Sequence, residues 1–170
     1  MVKIHIYSPL FQRSVDYRNS IDVIISINHV DLEISQSYAV TISEKFYSQY
    51  ILNHTLQKFS ITPTVKSEST YEILKDILLR KKTDFELDET ELNDLFHIGL
   101  SLGCEELVDI YRKNFIDKNN INIQNSIQFL EYYYDIEDTE KVDKCIDIIK
   151  KNFYKTDLEK LKLISKKTWI

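Results

Sequence analysis

Glycine is almost absent from this chain: only Gly99 and Gly103 among its 170 residues are glycine, and only two residues are proline. Soluble proteins contain about 7% glycine and about 5% proline, so both counts are low. Phosphate-binding loops and dinucleotide-binding fingerprints need several closely spaced glycines, which the chain lacks. An all-β fold would also need more turn glycines. The sequence therefore favours a mostly helical protein without a nucleotide-binding loop.

The overall composition is that of a folded protein. Hydrophobic residues make up 43% of the chain, enough to fill a core, and the 29% of charged residues is an ordinary share. A formal net charge of −5 argues against a nucleic acid as the main ligand, because duplex-binding proteins present a basic excess. No apolar run approaches the roughly 20 residues that cross a bilayer, and the N-terminus lacks a signal-peptide core. We therefore expect a cytoplasmic or nuclear protein with neither a nucleic acid nor a membrane as its partner.

The residue types that carry chemistry are scattered through the sequence. The four histidines are isolated, and a zinc site built on His54 and His97 would still lack a third ligand. Cys104 and Cys145 have no metal-ligand spacing, and both fall in apolar helical patterns typical of buried, reduced thiols. Neighbouring carboxylates such as Glu105-Glu106 are interpreted as surface acids or helix caps. The sequence predicts no catalytic residue, no metal ligand and no cofactor.

Strand-forming segments are concentrated in the first half of the chain. From Val2 to Tyr7, apolar and polar residues alternate with the period of a half-buried strand. Asp22–Ile27 and Val30–Ile34 are rich in β-branched or alternating residues and flank Asn28-His29, which predicts a hairpin with His29 in its turn. The other predicted strands are Phe59–Ile61 and Phe85–Leu87.

Helices account for most of the remaining chain, because apolar residues recur there with helical spacing. Gly103 is predicted to end one of them in the left-handed conformation. The polar run from Asn119 to Asn122 is the predicted joint between two domains. The predicted caps are Ser8-Pro9 for a helix around 10–17, Ser43, Ser69 with Glu72, Asp88 with Glu91, and Thr156 with Glu159. The predicted apolar faces include Phe46-Tyr47-Tyr50-Ile51, Leu107-Val108-Tyr111-Phe115, Ile127-Leu130-Tyr134, Val142-Cys145-Ile146-Ile149-Phe153 and Leu158-Leu161-Ile164.

The order of these elements is informative. A β-hairpin, a helical pair, a short strand, a capped helix, a short strand and a helical hairpin together resemble the BTB/POZ fold. The segments similar to the family's motifs are Asp22–Ile27 (DVIISI), Leu32-Glu33-Ile34, Ser43–Phe46 (SEKF), Tyr71–Leu79 (YEILKDILL) and Leu95–Leu107. The family's His-Lys pair before the helical pair is replaced by Ser35-Gln36. The resemblance implies an α+β, mostly helical fold with a small sheet and helical hairpins.

The C-terminal segment carries a second likeness. Asn125 to Ile164 resembles the first helices of the BACK-type extension, and Cys145–Phe153 (CIDIIKKNF) is similar to its C-x-x-φ-φ-x-x-N-F pattern. The chain also resembles the BTB-like N-terminal regions of protist ankyrin-repeat proteins. Together these likenesses imply a BTB/POZ-like domain at residues 1–118 and a BACK-like helical extension at residues 119–170.

The BTB/POZ resemblance implies an adaptor that assembles with other proteins. Val2, Ile4 and Ile6 lie on a strand whose edge is expected either to pair with a second copy in a homodimer or only to complete its own sheet. Some family members recruit a cullin scaffold to build ubiquitin ligases, through a hydrophobic-x-Glu triplet before a helix. The nearest match here is Val65-Lys66-Ser67-Glu68, which is one residue longer, with Tyr71 and Asp109 as further candidate contacts.

Two other functions stay open at the level of sequence. The chain is alternatively a non-catalytic N-terminal structural domain of a larger ankyrin-repeat protein. A weaker alternative is an enzyme on an unfamiliar helical fold, which would show a pocket with two converging titratable groups.

Overall fold

The protein forms two compact units, Met1–Lys118 and Asn119–Ile170. The structure is a computed structural model, and it describes residues 1–6, 8–12 and 22–153. Tyr7, the predicted helical residues 13–17 and the predicted helix with its cap at Thr156 lie outside these described residues.

The strands of the first unit form two small sheets. One is three-stranded, with the order β3-β2-β4, in which β3 pairs antiparallel and β4 pairs parallel with β2. The other is the antiparallel pair β1-β5. The strands are β1 (Val2–His5), β2 (Asp22–Ile27), β3 (Val30–Ser35), β4 (Lys58–Ile61) and β5 (Asp84–Leu87).

The β2–β3 hairpin has the predicted limits because its signals are local. A two-residue turn of this kind favours Asn in its first position, and Asn28 adopts a positive φ of 53° there. His29 occupies the turn beside it, as predicted. The alternation then buries one face of the sheet: Val23, Ile25, Ile27, Leu32, Ile34 and Phe59 are all buried.

The helices of the first unit follow the predicted order, which confirms the α+β, mostly helical fold with small sheets and helical hairpins. The helices are α1 (Pro9–Gln12), α2 (Gln36–Ile42), α3 (Glu44–Leu52), α4 (Ser69–Leu78), α5 (Glu89–Leu102) and α6 (Glu105–Tyr111). A π-helical turn, Arg112–Ile116, continues α6.

Side-chain caps set the beginnings of several helices. Ser43 begins α3, as predicted: its Oγ accepts from the Phe46 N–H at 3.0 Å and donates to the Leu102 carbonyl at 2.6 Å. Asp88 and Glu91 form the predicted capping box of α5. Gly103 ends α5 with φ 66°, confirming the predicted left-handed residue. The left-handed turn at Gly103 lets α6 follow α5 directly as a helical hairpin, and the Ser43–Leu102 bond joins α3 to the end of α5.

Some local predictions were wrong. Ser69 does not cap α4; it lies inside the helix, and Glu68 at the cap position makes no side-chain cap bond. The Ser69 hydroxyl donates instead to Glu91 Oε1 at 2.5 Å, because α5 brings that carboxylate close. On α3, Phe46 is buried, but Tyr47 and Ile51 are exposed, since these residues point to different sides of a helix turning about 100° per residue.

The core of the first unit combines the buried sheet face with α2 to α6. Phe46 contacts Phe59 edge to face, with ring centroids 5.9 Å apart, and so places α3 on the inner face of β4. Phe96 of α5 stacks on Tyr111 of α6 at 5.1 Å. Burial of these rings is the main source of stability, since each removes a large apolar area from water.

The second unit contains a helical hairpin, α7 (Ser126–Asp135) and α8 (Thr139–Lys151). Cys145 and Ile149 are buried, whereas Phe153, predicted on the same apolar face, is 56% exposed just beyond the end of α8. In the run Tyr132-Tyr133-Tyr134, the first two side chains are buried and Tyr134 is 44% exposed. This matches the expectation that three consecutive helical residues cannot share one face.

Candidate functional site

The β1–β5 ribbon has one apolar and one charged face. Ile4 of β1 and both Phe85 and Leu87 of β5 are buried, and Val2 is half-buried. The exposed face has two ion pairs between directly opposed residues. Lys3 Nζ lies 3.3 Å from Glu86 Oε1, and His5 Nδ1 lies 2.8 Å from Asp84 Oδ1. The hydrogen bond from His5 lowers the pKa of Asp84.

The outer edge of β1 is open among the described residues. The Ile6 N–H donates to the Thr83 carbonyl at 2.8 Å, so Ile6 and Thr83 face each other across the ribbon. Because antiparallel residues alternate in direction, Ile4 and Val2 also turn their backbone groups towards β5. The N–H and C=O groups of Lys3 and His5 therefore point to the free edge. Ile6, predicted within the strand, lies just beyond its end.

A second surface is the segment between β4 and α4, where a buried carboxylate fixes the backbone. Asp94 of α5 is fully buried. Its Oδ2 accepts from the N–H groups of Lys66 and Ser67 at 3.0 and 2.8 Å, and from the Thr70 hydroxyl at 3.1 Å. Its Oδ1 accepts from the Lys66 N–H at 3.0 Å. Bonds to a buried charge are the stronger kind, so this segment is rigidly held.

The hairpin turn contacts the same segment from the other side. Asn28 Nδ2 donates to the Pro63 carbonyl at 3.1 Å and to Tyr71 Oη at 2.8 Å. The His29 ring packs edge-on against Tyr71 at 5.0 Å, and its Nε2 lies 3.3 Å from Glu68 Oε2. Glu68 remains largely exposed and Val65 is half-buried. Val65 and Glu68 thus form a fixed surface, whereas the Tyr71 side chain is buried and only 6% exposed.

The predicted site residues thus fall into separate places. Val65, Glu68 and Tyr71 lie together, and Val2, Ile4 and Ile6 lie on or beside β1. Asp109 belongs to neither group: on α6 it forms ion pairs with Arg112 at 2.7 Å and Lys113 at 3.0 Å.

Asp94 is the structural centre of the second surface, and sequence reasoning missed it. A signal exists, because Asp94 lies four residues before Ile98 on the apolar stripe of α5. Acidic residues are almost never fully buried unless they are paired. An acid inside an apolar stripe therefore indicates that its carboxylate has hydrogen-bond or ionic partners within the fold. The sequence does not identify those partners.

The described residues contain no group of three or more His, Cys, Asp or Glu placed to hold a metal ion. Burial raises the pKa of the Cys104 thiol to about 12 and that of the Cys145 thiol to about 11, so both are protonated and weakly nucleophilic at neutral pH. Both cysteines are free and buried, which confirms the sequence prediction. None of the described helices has the length and apolar character of a membrane span.

Comparison with known proteins gives a structural likeness but no sequence relative. No protein-family model matches the sequence, and no curated protein matches it significantly. Among solved structures, the chain is similar to the BTB domain of zebrafish PATZ1, with 17% sequence identity and a TM-score of 0.43. The match covers 65% of this chain and 86% of that chain.

Proposed function

We propose that this chain is a non-catalytic protein–protein interaction module of the BTB/POZ type, which forms a homodimer by pairing β1 with the β1 strand of a second copy. The observation that carries the proposal is the open β1 edge, where Lys3 and His5 direct their backbone groups outward. An unpaired edge is a template for another strand. Two-fold pairing of β1 with itself would also be self-complementary, as most homodimer interfaces are.

The ribbon itself gains from such pairing. An isolated sheet of two strands is marginally stable and needs either further strands or packing of its apolar face. The ribbon already buries Ile4, Phe85 and Leu87, and further strands would add backbone hydrogen bonds to it. Antiparallel pairing of two β1 strands would create a four-stranded sheet, in the order β5-β1-β1-β5. Its apolar face would join the Ile4 side chains of both copies. The charged face, with Lys3 and His5, would remain in water.

Lys3→Pro is expected to convert a dimer into a monomer. Proline removes the N–H that points to the free edge, but it leaves the bonds of Val2 and Ile4 to β5 in place. Size-exclusion chromatography coupled to light scattering, over a concentration series, measures the mass of both proteins. The wild-type chain is expected at twice the mass of the variant.

Lys3→Thr is the matched control, because it loses the same ion pair to Glu86 and keeps the N–H. It should remain dimeric. A wild-type protein that stays monomeric at high concentration, or a Lys3→Pro protein that dimerises as well as Lys3→Thr, contradicts pairing through β1.

A cullin scaffold is the further partner that we propose, bound at the surface of Val65 and Glu68 above the buried Tyr71. The support is the preorganisation of this segment: Asp94 binds two of its backbone N–H groups while Val65 and Glu68 stay accessible. A binding segment that is already ordered loses less conformational entropy when the partner arrives. The other candidate contact, Asp109 on α6, lies apart from this surface and is paired with Arg112 and Lys113.

Val65→Asp is expected to weaken cullin binding about tenfold or more, because it places an unpaired charge in the centre of the proposed contact. Calorimetric titration with a panel of purified cullin N-terminal domains checks this. Lys66→Ala is the control, since the exposed Lys66 side chain lies beside Val65 while its backbone bond to Asp94 remains. Failure of the wild-type chain to bind any cullin rules this partner out and leaves the dimer proposal intact.

The second unit is proposed as a BACK-like extension of this module, working in the cytoplasm or nucleus. Its support is the α7–α8 hairpin with Cys145 and Ile149 buried in the pattern of the predicted C-x-x-φ-φ-x-x-N-F segment. The alternative, an N-terminal structural domain in front of ankyrin repeats, predicts helical repeats of about 33 residues immediately downstream in the gene.

A further inference from the structure

The strand β4 forms an edge of the three-stranded sheet. Its partner is β2, which it meets in parallel over Lys58–Ile61. The Ile24 N–H donates to the Gln57 carbonyl at 2.8 Å, and the Asn28 N–H donates to the Ile61 carbonyl at 3.0 Å. Gln57 and Ile61 therefore turn their backbone groups towards β2.

The intervening residues of β4 turn their backbone groups away from β2. Successive residues of a strand alternate in the direction of their N–H and C=O groups, so Lys58, Ser60 and Thr62 point away from β2. In the part of the chain that the structure describes, none of these outward backbone groups has a hydrogen-bond partner. They form a short row of unpaired donors and acceptors, spaced as an incoming strand requires.

A groove runs along this edge. Its floor is the edge of β4 at Phe59–Thr62, and its walls are three side chains of α3 together with Ser101 of α5. The α3 residues follow the spacing i, i+3, i+4 of one helix face. They are Lys45, Ser48 and Gln49. The packing of Phe46 on Phe59 places this wall beside the strand.

The charge of the groove selects among peptides. Lys45 is the one charged side chain among the described residues that line it, and no acid lines it. Lys58, at the start of the strand, is paired with Asp31 of β3 at 3.1 Å and adds no net charge. On β3, at the opposite edge of the sheet, the acid Glu33 is exposed. The β4 edge therefore carries the positive charge of Lys45 on a chain whose net charge is −5.

From these observations we infer that the β4 edge binds an extended, acidic peptide segment of a partner protein, which adds to the sheet as a fourth strand beside β4. The backbone of the peptide pairs with Lys58, Ser60 and Thr62, and its acidic side chains lie against Lys45 of α3. Main-chain pairing supplies affinity in this mode of recognition, and the side chains along the wall supply selectivity. The inference goes beyond the proposed dimer, because it uses a different sheet, edge and partner.

Ser60→Pro tests the pairing directly. The Ser60 N–H points into the groove, so proline at this position removes an edge donor and spares the bonds to β2. The probe is a short fluorescein-labelled peptide of alternating threonine and glutamate, titrated with the full chain and followed by fluorescence anisotropy. Binding is expected to fall about tenfold or more in Ser60→Pro, a loss of about 1.4 kcal/mol or more. Ser60→Thr keeps the N–H and should bind like wild type.

The peptide itself provides a second test that does not depend on how a variant folds. N-methylation of every second residue blocks one of its two edges, so one methylated series should lose binding and the complementary series should keep it. Replacing glutamate by lysine in the peptide should weaken binding, and Lys45→Glu should reverse that preference. No binding of the glutamate peptide, or equal loss in both methylated series, overturns the inference.

Light scattering separates this inference from the proposed dimer. Ser60→Pro should leave the mass of the protein unchanged, and Lys3→Pro should leave peptide binding unchanged. If the Ser60→Pro protein instead has a lower mass than the wild-type protein, a second copy of the chain occupies the β4 edge. The partner-peptide inference is then wrong.

Discussion

Asp94→Ala is expected to lower the free energy of unfolding by about 3 kcal/mol, because it leaves two part-buried N–H groups and one buried hydroxyl without their acceptor. The carboxylate binds the Lys66 and Ser67 N–H groups and the Thr70 hydroxyl, and it is fully buried. A single donor left unpaired in the interior costs about 1–3 kcal/mol. The total for the three donors is smaller than the sum of these costs, because water reaches the segment when it partly opens. Urea unfolding followed by circular dichroism measures the change.

Asp94→Asn distinguishes the effect of the carboxylate from the effect of side-chain size, because asparagine has nearly the same shape. An amide keeps one acceptor oxygen but turns an NH₂ group towards at least one donor, so we expect a loss smaller than that of Asp94→Ala but still clear. Glu72→Ala is the control, since Glu72 is an exposed acid on neighbouring α4. Exposed substitutions of this kind usually stay within about 0.5 kcal/mol of wild type.

Hydrogen exchange identifies where the stability is lost. In Asp94→Ala the Lys66 and Ser67 amides should exchange much faster, while the amides of β2 should change only with the global stability. If both variants of Asp94 unfold like wild type, the carboxylate does not hold this segment, and the preorganisation argued for the Val65–Glu68 surface fails with it.

The sequence predicted the elements whose signals are local. The β2–β3 hairpin needs only a β-branched run and a residue tolerant of positive φ, and Asn28 lies within the same few residues. The capping box of α5 is likewise complete within Asp88–Glu91. Such features depend on neighbours along the chain, so their sequence pattern and their physical cause coincide.

The sequence did not reveal features that depend on partners far along the chain. Asp94 and the three groups that it binds are 24 to 28 residues apart. Ser69 matches the capping pattern in sequence, yet its hydroxyl donates a hydrogen bond to Glu91 of another helix. The open edges of β1 and β4 follow from strand order, which alternation along one strand cannot specify. Periodicity predicted many of the buried apolar residues, whereas topology decided which backbone groups remain accessible.

The two proposed interaction edges differ in how the molecule protects them. On β1, the Lys3 and His5 side chains contact Glu86 and Asp84 across the ribbon, so the exposed face of this edge strand carries polar and charged groups. Charged side chains on an edge hinder unselective pairing with other strands. On β4, side chains of α3 lie along the open edge and add the charge of Lys45. A strand with acidic side chains is therefore favoured there.

Gly99→Ala is expected to lower the free energy of unfolding by about 2 kcal/mol, although alanine is the better helix former. A Cβ at this position would lie 2.9 Å from Leu107 Cβ, 3.0 Å from the Val108 nitrogen and 3.2 Å from the Cys104 carbonyl oxygen. Two of these atoms belong to the backbone of the α5–α6 hairpin and move only with it. Overpacking a tight core typically costs about 1–3 kcal/mol. The gain in helix propensity, about 1 kcal/mol, does not offset a clash of the larger size.

Ser101→Ala is the matched control, because it changes a half-buried residue of the same helix to alanine without adding an atom. It should be neutral or slightly stabilising. Gly99→Val should lose more than Gly99→Ala, since a branched side chain must force α5 and α6 further apart. Urea unfolding measures the stability of all three variants, by the shift of the midpoint when the dependence of the free energy on urea concentration is unchanged. A Gly99→Ala protein at least as stable as Ser101→Ala would show that the hairpin can relax, and that close approach is not the reason one of the two glycines lies in α5.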